Sequence, residues 1–312
     1  MFDRDTGLPA VSEITVTGTV MEAALRHAAA RRDRPALIGS GRSVGYPRFA
    51  EVVPAAAAGL ARYGVRPGDV GAIHLADPCD TALAVHAVTA VGAVPAPLPA
   101  HASAAELARL MNECGARFLM TGSGEEAVLA LAATERAYVR QVFAFGDLPG
   151  ATPFARLVDD HGGAAPPAAM IDPLHDVGLR LSEPPEDLTH ADRLADLYRL
   201  GGAAGIVPED VVACCADDCT PPTWLGLMDL CLAQGATFAG VHDTGAAALL
   251  AAVEAHGATL AVAGPAKLRA LAFETAPLAA AREVRLLVTG PTGPEVVRAC
   301  RERHGWAVTF LG

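Results

Sequence analysis

The chain has 312 residues, and at about 150 residues per domain that length points to two domains or one large one. Hydrophobic residues make up 52% and charged residues 19%, enough apolar material for a sizeable core, which excludes disorder as the main state. With 24 Lys and Arg against 35 Asp and Glu the net charge is −11, which argues against whole-protein binding to nucleic acid or an anionic membrane, since both need a positive field.

From residue 35 short β-type runs alternate with helical patterns. Ala36–Ile38 and Ser43–Tyr46 read as a hairpin across Gly39-Ser40-Gly41-Arg42. A helix is predicted over Pro47–Tyr63, since proline is tolerated in a first turn. Pro54 lies deeper and should kink or interrupt it, at about 3 kcal/mol relative to alanine. Strand Val70–Leu75, helix Asp80–Val91 and the extended Val94–Pro97 follow. Ser103-Ala104-Ala105-Glu106 has capping-box spacing, and its helix ends at Cys114-Gly115. Strand Arg117–Thr121, a helix over Glu125–Thr134 and strand Gln141–Phe145 complete a first set. Residues 146–187 are rich in Pro and Gly and read as a connector of low regular content.

A helix over Thr189–Leu200 should end at Gly201-Gly202. The second set has strands Val211–Ala216, Ala236–Val241, Thr259–Val262, Val284–Val288 and Val308–Leu311. Its helices are Thr223–Ala233, Gly245–His256, Pro265–Phe273 and Pro294–His304. Such alternation predicts an α/β protein: mostly parallel sheets covered by helices, in two lobes. The first lobe is expected over 1–205, including the 146–187 connector, and the second over 206–312. Ligands in such folds collect at the carboxyl ends of the strands.

The seven cysteines are odd in number and irregularly spaced, and Met1-Phe2-Asp3-Arg4-Asp5 does not read as a signal peptide; a reduced cytoplasm is expected. The uncharged stretch Thr81–Ala105 holds three prolines and reads as buried helix, strand and loop, not as a membrane span. Lys267 is the sole lysine.

Several phrases in fixed order resemble the adenylate-forming superfamily: acyl-CoA synthetases, peptide-synthetase adenylation domains and luciferases. They are Gly45-Tyr46, Gly64-Val65-Arg66-Pro67-Gly68-Asp69-Val70, Ala90-Val91-Gly92-Ala93-Val94-Pro95-Ala96-Pro97-Leu98 and Cys114-Gly115-Ala116-Arg117-Phe118-Leu119-Met120-Thr121. Leu232-Ala233-Gln234-Gly235-Ala236-Thr237, Val284-Arg285-Leu286-Leu287-Val288-Thr289-Gly290 and Pro294-Glu295-Val296-Val297 continue the likeness. Each phrase is weak alone; their order covers most of residues 35–312. The resemblance implies the large two-lobed N-terminal domain of these ligases, without the small C-terminal one.

The chemistry departs from the pattern that the resemblance implies. Where the family has a Ser, Thr and Gly-rich phosphate loop ending in Pro-Lys-Gly, this chain has Leu181-Ser182-Glu183-Pro184-Pro185-Glu186-Asp187. No glycine is available to let amides close on phosphate. Three carboxylates stand where a polyanion would sit, and each like-charge contact at about 4 Å and a dielectric near 20 costs about 4 kcal/mol. The chain stops at Phe310-Leu311-Gly312, about where the family's Tyr-Gly-x-Thr-Glu motif begins. Ala216-Asp217-Asp218-Cys219-Thr220-Pro221-Pro222 occupies the place of an aromatic-histidine pair near the acyl site.

Three other motifs compete. Gly41-Arg42-Ser43-Val44-Gly45 fits the hydrolase elbow, but Ser43 is expected to begin a hairpin strand and not to feed a helix. Gly122-Ser123-Gly124-Glu125-Glu126-Ala127 fits a loose dinucleotide fingerprint, with two glutamates opposing pyrophosphate at the helix start. Cys214, Cys215 and Cys219 invite a metal reading, yet consecutive strand residues point to opposite faces. No metal is expected.

The expectation is therefore an acyl-CoA synthetase-like protein that has lost ATP-dependent adenylation. It would bind or process a small acyl or aryl group, free or as a CoA or carrier-protein thioester, in a biosynthetic pathway. No cofactor is expected and Mg-ATP is disfavoured. Whether the chain is a catalyst stays open; a repurposed thioester-handling role is favoured over ligation, with Asp218 and Cys219 as catalytic candidates. The ligand-binding candidates are Asp217, Asp218, Cys219, Trp224, His242, Asp243, Gly264, Thr289 and Gly290. The alternative is a ligase fragment or structural partner subunit whose missing parts another chain supplies, its final strand edge recruiting another subunit or a twin copy.

Overall fold

The computed structural model describes residues 14–122, 124, 127, 139–159, 169–276 and 283–311. The helix expected over residues 125–134 and the glycine-rich 122–127 motif fall largely outside them, as does Gly312. The chain divides into two compact units. Among described residues, one takes in 14–21 and Pro47–Leu194, the other Glu22–Tyr46 and 195–311. No helix among the described residues is long and apolar enough to cross a membrane.

The first unit holds a five-stranded parallel sheet in the order β4-β3-β5-β6-β7. These strands are β3 (Val70–His74), β4 (Val94–Pro97), β5 (Phe118–Thr121), β6 (Gln141–Ala144) and β7 (Thr152–Pro153). Helix α3 (Pro78–Ala90) is capped by Asp77, whose carboxylate accepts from the amides of Cys79 and Asp80, satisfying donors that a helix start leaves open. Helix α4 (Ala104–Glu113) begins as its capping spacing predicts, with the Ser103 hydroxyl accepting from the Glu106 amide. Leu107, Leu110 and Met111 of α4 are buried against Leu119 of β5 and its neighbours. Helix α2 (Tyr46–Arg62), the next helix in the chain after α1 (Val16–Ala30), runs unbroken through Pro54, so the expected interruption does not occur.

Among its described residues, the stretch expected as a connector of low regular content instead carries regular structure. It carries β7, helix α5 (Phe154–Asp159) and an antiparallel hairpin of β8 (Val177–Ser182) and β9 (Pro185–Thr189). The prolines and glycines masked an alternating Val177-Gly178-Leu179-Arg180-Leu181 pattern, which suits a half-buried strand. Helix α6 (His190–Ala204) follows and passes through Gly201-Gly202, the pair expected to end it.

The second unit holds a seven-stranded sheet in the order β14-β13-β12-β10-β11-β1-β2. Its strands are β1 (Pro35–Ile38), β2 (Ser43–Gly45), β10 (Val211–Cys215), β11 (Thr237–Val241), β12 (Leu260–Ala263), β13 (Arg285–Val288) and β14 (Ala307–Phe310). All neighbours are parallel except the β1–β2 hairpin. The division expected at residue 205 placed that hairpin in the first lobe. It pairs instead through Leu37 and Ile38 with Phe238 and Ala239 of β11. Sequence proximity to the first set misleads here because a four-residue strand carries no sign of its partner. Ser43 begins β2, as a hairpin serine should.

Helices α7 (Pro221–Gln234), α8 (Ala246–His256), α9 (Pro265–Phe273) and α10 (Pro294–His304) alternate with these strands. Leu249, Val253, Leu268, Leu271 and Val296 of the last three bury their side chains against the sheet with Trp306. Gly235 ends α7 at φ +81°, where a Cβ would stand 2.7 Å from the His27 ring. Only glycine meets both demands. The buried Tyr46 hydroxyl donates to the carbonyls of Cys231 and Ala236 at the same helix end.

Candidate functional site

In the second unit β10, β12 and β13 lie side by side and parallel, so the segments after them emerge along one sheet edge. After β10 the chain makes a single 3-10 turn, Ala216–Asp218. Asp218 turns its side chain inward: one carboxylate oxygen accepts from the Gly264 amide at 2.9 Å, the other from Nζ of Lys267 at 2.5 Å. The Asp218 carbonyl accepts from the Thr289 hydroxyl at 2.5 Å. One residue thus ties together the segments that follow three strands.

The tie has a local cause. Gly264 is the N-cap of α9, and a helix start favours a carboxylate. Lys267 lies in the first turn of the same helix. The Lys267 and Asp218 side chains are only 4% and 7% exposed, and charges so withdrawn from water persist only when paired and hydrogen-bonded.

The other candidate residues distribute around this tie. Asp217 is exposed on the 3-10 turn, and Cys219 is half-buried. The Cys219 sulfur lies 3.6 Å from that of Cys214. Burial, reinforced by Cys219 and the Asp218 charge, pushes the Cys214 thiol well above its ordinary range. Trp224 is buried on α7 with its ring edge-to-face on Phe238 at 6.0 Å. Its indole N–H is buried without a hydrogen-bond partner among the described residues. His242 and Asp243 follow β11 and are exposed. Asp243 accepts from the Gly245 amide at 3.0 Å, at the start of α8. The bonds at Asp218 run to Gly264, Lys267 and Thr289, not to His242 or Asp243. Gly290 passes close to Pro265, whose Cγ would lie 3.1 Å from an added Cβ. Among the described residues no three His, Cys, Asp or Glu side chains gather where they would hold a metal ion.

Lys267 was not among the candidates, although it completes the tie. Its signal was its place: the sole lysine, three residues past the glycine that begins a helix after a strand.

In the first unit, the segment expected at the phosphate-loop position forms the β8–β9 hairpin. Its strands are joined by two residues only, Glu183 and Pro184, with Ser182 paired to Pro185. Arg180 holds Asp187 through two bonds of 2.7 Å and also donates to the Cys114 carbonyl. Arg109 of α4 holds Glu183 at 2.5 Å and Glu113 at 2.7 Å. Of the three carboxylates expected to face a polyanion here, Glu183 and Asp187 are therefore paired with arginines, and Glu186 is exposed. Arg180 faces Asp187 in the hairpin register, which the sequence pattern showed only once the strands were known.

Residues 25–172 match the family model described as "AMP-binding enzyme". Over 111 residues the chain is 35% identical to a naringenin synthase of Pestalotiopsis fici, a match covering 36% of this chain and 4% of that protein. Its fold is similar to that of a long-chain-fatty-acid-CoA ligase from Archaeoglobus fulgidus, with TM-score 0.78 and 19% identity over 97% of this chain and 64% of the ligase. It is also similar to a benzoate CoA ligase from Burkholderia xenovorans, with TM-score 0.77 and 20% identity over 95% of this chain and 60% of the ligase. The chain thus spans less than two thirds of these ligases and a small part of the long fungal relative. Residues 25–172 thus carry the AMP-binding enzyme match, and the mostly parallel two-sheet α/β fold is that of the similar adenylate-forming ligases.

Proposed function

We propose that this superfamily member binds an acyl or aryl group at the carboxyl ends of its seven-stranded sheet and does not activate it with ATP. The group would be presented as a free acid or as a CoA or carrier-protein thioester. The observation that carries this reading is the two-residue Glu183–Pro184 turn. Cradling a polyphosphate takes a run of backbone amides turned toward one point. Here Pro184 and Pro185 have no amide hydrogen, and Glu183 adds a carboxylate already committed to Arg109.

The acyl half of the proposal rests on the second unit. The buried Trp224 indole N–H beside Phe238 has no hydrogen-bond partner among the described residues, a donor that an acyl or aryl carbonyl admitted beside it would satisfy. The similar ligases are named for fatty acid and benzoate, which sets the ligand class to try first. Seven free thiols fit a reduced, cytoplasmic setting.

Thermal unfolding with Mg-ATP, CoA and a panel of acyl- and aryl-CoA thioesters tests the proposal. A ligand at one hundred times its dissociation constant adds about 2.7 kcal/mol, or several degrees. Stabilisation by thioesters alone, lost in Trp224→Leu, supports it. Stabilisation by Mg-ATP, or pyrophosphate exchange with any acid, overturns it and restores the ligase reading.

A further inference from the structure

The first unit carries a recess at the amino-terminal ends of its strands, away from the ends where α/β folds gather their ligands. It has a volume of about 380 Å³ and is lined in part by Tyr63, Arg66, Asp69, Arg117, Arg140 and Gln141. That size is within the range of small-molecule sites.

Two of its arginines stand side by side. Phe118 of β5 pairs in register with Gln141 of β6, so Arg117 and Arg140 occupy the matching positions one step earlier. The Arg140 amide donates to the Arg117 carbonyl at 2.8 Å, continuing the ladder. In-register residues on neighbouring strands are about 4.8 Å apart and project to the same side. Like charges so placed repel and destabilise the pairing. Both side chains are exposed, and Arg66 adds a third guanidinium. Among the described residues of the lining, Asp69 is the one carboxylate. It lies 3.8 Å from Arg117 and accepts from the Arg66 amide. Among the described lining residues three cations thus stand against one anion, in a chain whose net charge is −11.

We propose that this recess is a binding site for a small phosphate-bearing molecule, with the phosphate oxygens between Arg117 and Arg140. Guanidinium forks match phosphate oxygens geometrically, and a bound dianion converts the Arg117–Arg140 repulsion into shared attraction. The Gln141 side-chain amide donates to the Tyr63 carbonyl, and the Tyr63 ring packs edge-on against Phe143 at 5.7 Å. Both contacts fix the wall beside the arginines, so the site is built before the ligand arrives.

Calorimetric titration at low ionic strength with pyrophosphate, and in parallel with citrate, tests this. The wild-type chain is compared with Arg117→Gln, Arg140→Gln and the control Arg199→Gln, which removes an exposed arginine of α6. Saturable pyrophosphate binding is expected, unchanged in the control and weakened about tenfold or more by either recess substitution. Both variants should also unfold at a higher temperature than the wild type in anion-free buffer, because the repulsion is gone; this second readout shows that they fold. No saturable binding, or binding undiminished in both variants, overturns the proposal. Citrate binding as tight as pyrophosphate overturns the phosphate assignment in favour of a polycarboxylate.

Discussion

Nζ of Lys267 donates to the Asp218 carboxylate at 2.5 Å, and both side chains are shielded from solvent. The chain's sole lysine is therefore held in an internal ion pair, and Asp218 spends both carboxylate oxygens and its carbonyl on neighbouring segments. At this sheet edge the groups turned toward solvent are Asp217, His242 and Asp243, with Cys219 half-exposed.

Breaking that pair from one side should destabilise the second unit strongly. Lys267→Met leaves a carboxylate buried with one amide donor, and one-sided removal of such a partner costs about 3–5 kcal/mol. Asp218→Asn strands the ammonium at a similar cost. The double variant should cost clearly less than the two losses added, since neither charge is then left alone. Urea unfolding of the four proteins measures the coupling, and simple additivity would refute the pairing.

Cys219 should be the first cysteine to react. It is half-buried while the other six are buried, and alkylating reagents need access to the sulfur. Limited iodoacetamide labelling followed by peptide mass mapping should mark Cys219 ahead of Cys79, Cys114 and Cys300. With its sulfur 3.6 Å from that of Cys214, diamide should take two hydrogens from the pair and form an intramolecular disulfide. Cys219→Ser should abolish that product. Equal labelling of all seven thiols would contradict the observed burial.

Much of this arrangement was legible from the residues. The strands ending at Cys215, Ala263 and Val288 announced themselves as apolar runs before turn residues, so the loops carrying Asp218, Gly264 and Thr289 were named together. Their shared bond network was not, because strand order decides which loops meet. The β10–β12–β13 adjacency is a tertiary fact that no local pattern encodes. The charge argument at Glu183 and Asp187 failed in part for the same reason. Arg109 is distant in sequence from Glu183, and only the packed fold brings it within 2.5 Å. The glycine pair at 201–202 stayed helical because a glycine's helix cost of about 1 kcal/mol is small beside the burial of Leu194, Leu197 and Leu200 on the same helix.

His190 should make stability fall with acid. Burial pushes its pKa from 6.5 down to about 4, with the Arg193 charge adding to the shift and Asp176 opposing it. Between those values the unfolded chain binds a proton that the folded one does not, so stability rises with pH. The contribution is complete above pH 6.5 and is lost as pH falls toward about 4. At about 1.4 kcal/mol per unit it amounts to about 3 kcal/mol. His190→Gln should flatten the urea-midpoint profile across that window relative to the wild type. Parallel profiles would show that His190 does not titrate as its burial requires.

Two glycine substitutions should act with opposite signs. Gly59 lies in α2 where a Cβ would stand 2.5 Å from the Leu157 carbonyl oxygen and 2.7 Å from its Cα on α5. Backbone atoms cannot swing aside, so Gly59→Ala must separate the two helices. Overpacking of this kind costs about 1–3 kcal/mol, more than the helix-propensity gain of about 1 kcal/mol. Gly202 sits in α6 with no atom within 4 Å of an added Cβ. Gly202→Ala should therefore add about 0.4–1 kcal/mol by restricting the unfolded chain. Thermal and urea unfolding of both variants decide the matter. A neutral Gly59→Ala would show that the α2–α5 contact is looser than the close approach at Leu157 implies, and destabilisation by Gly202→Ala would contradict the open space beside Gly202.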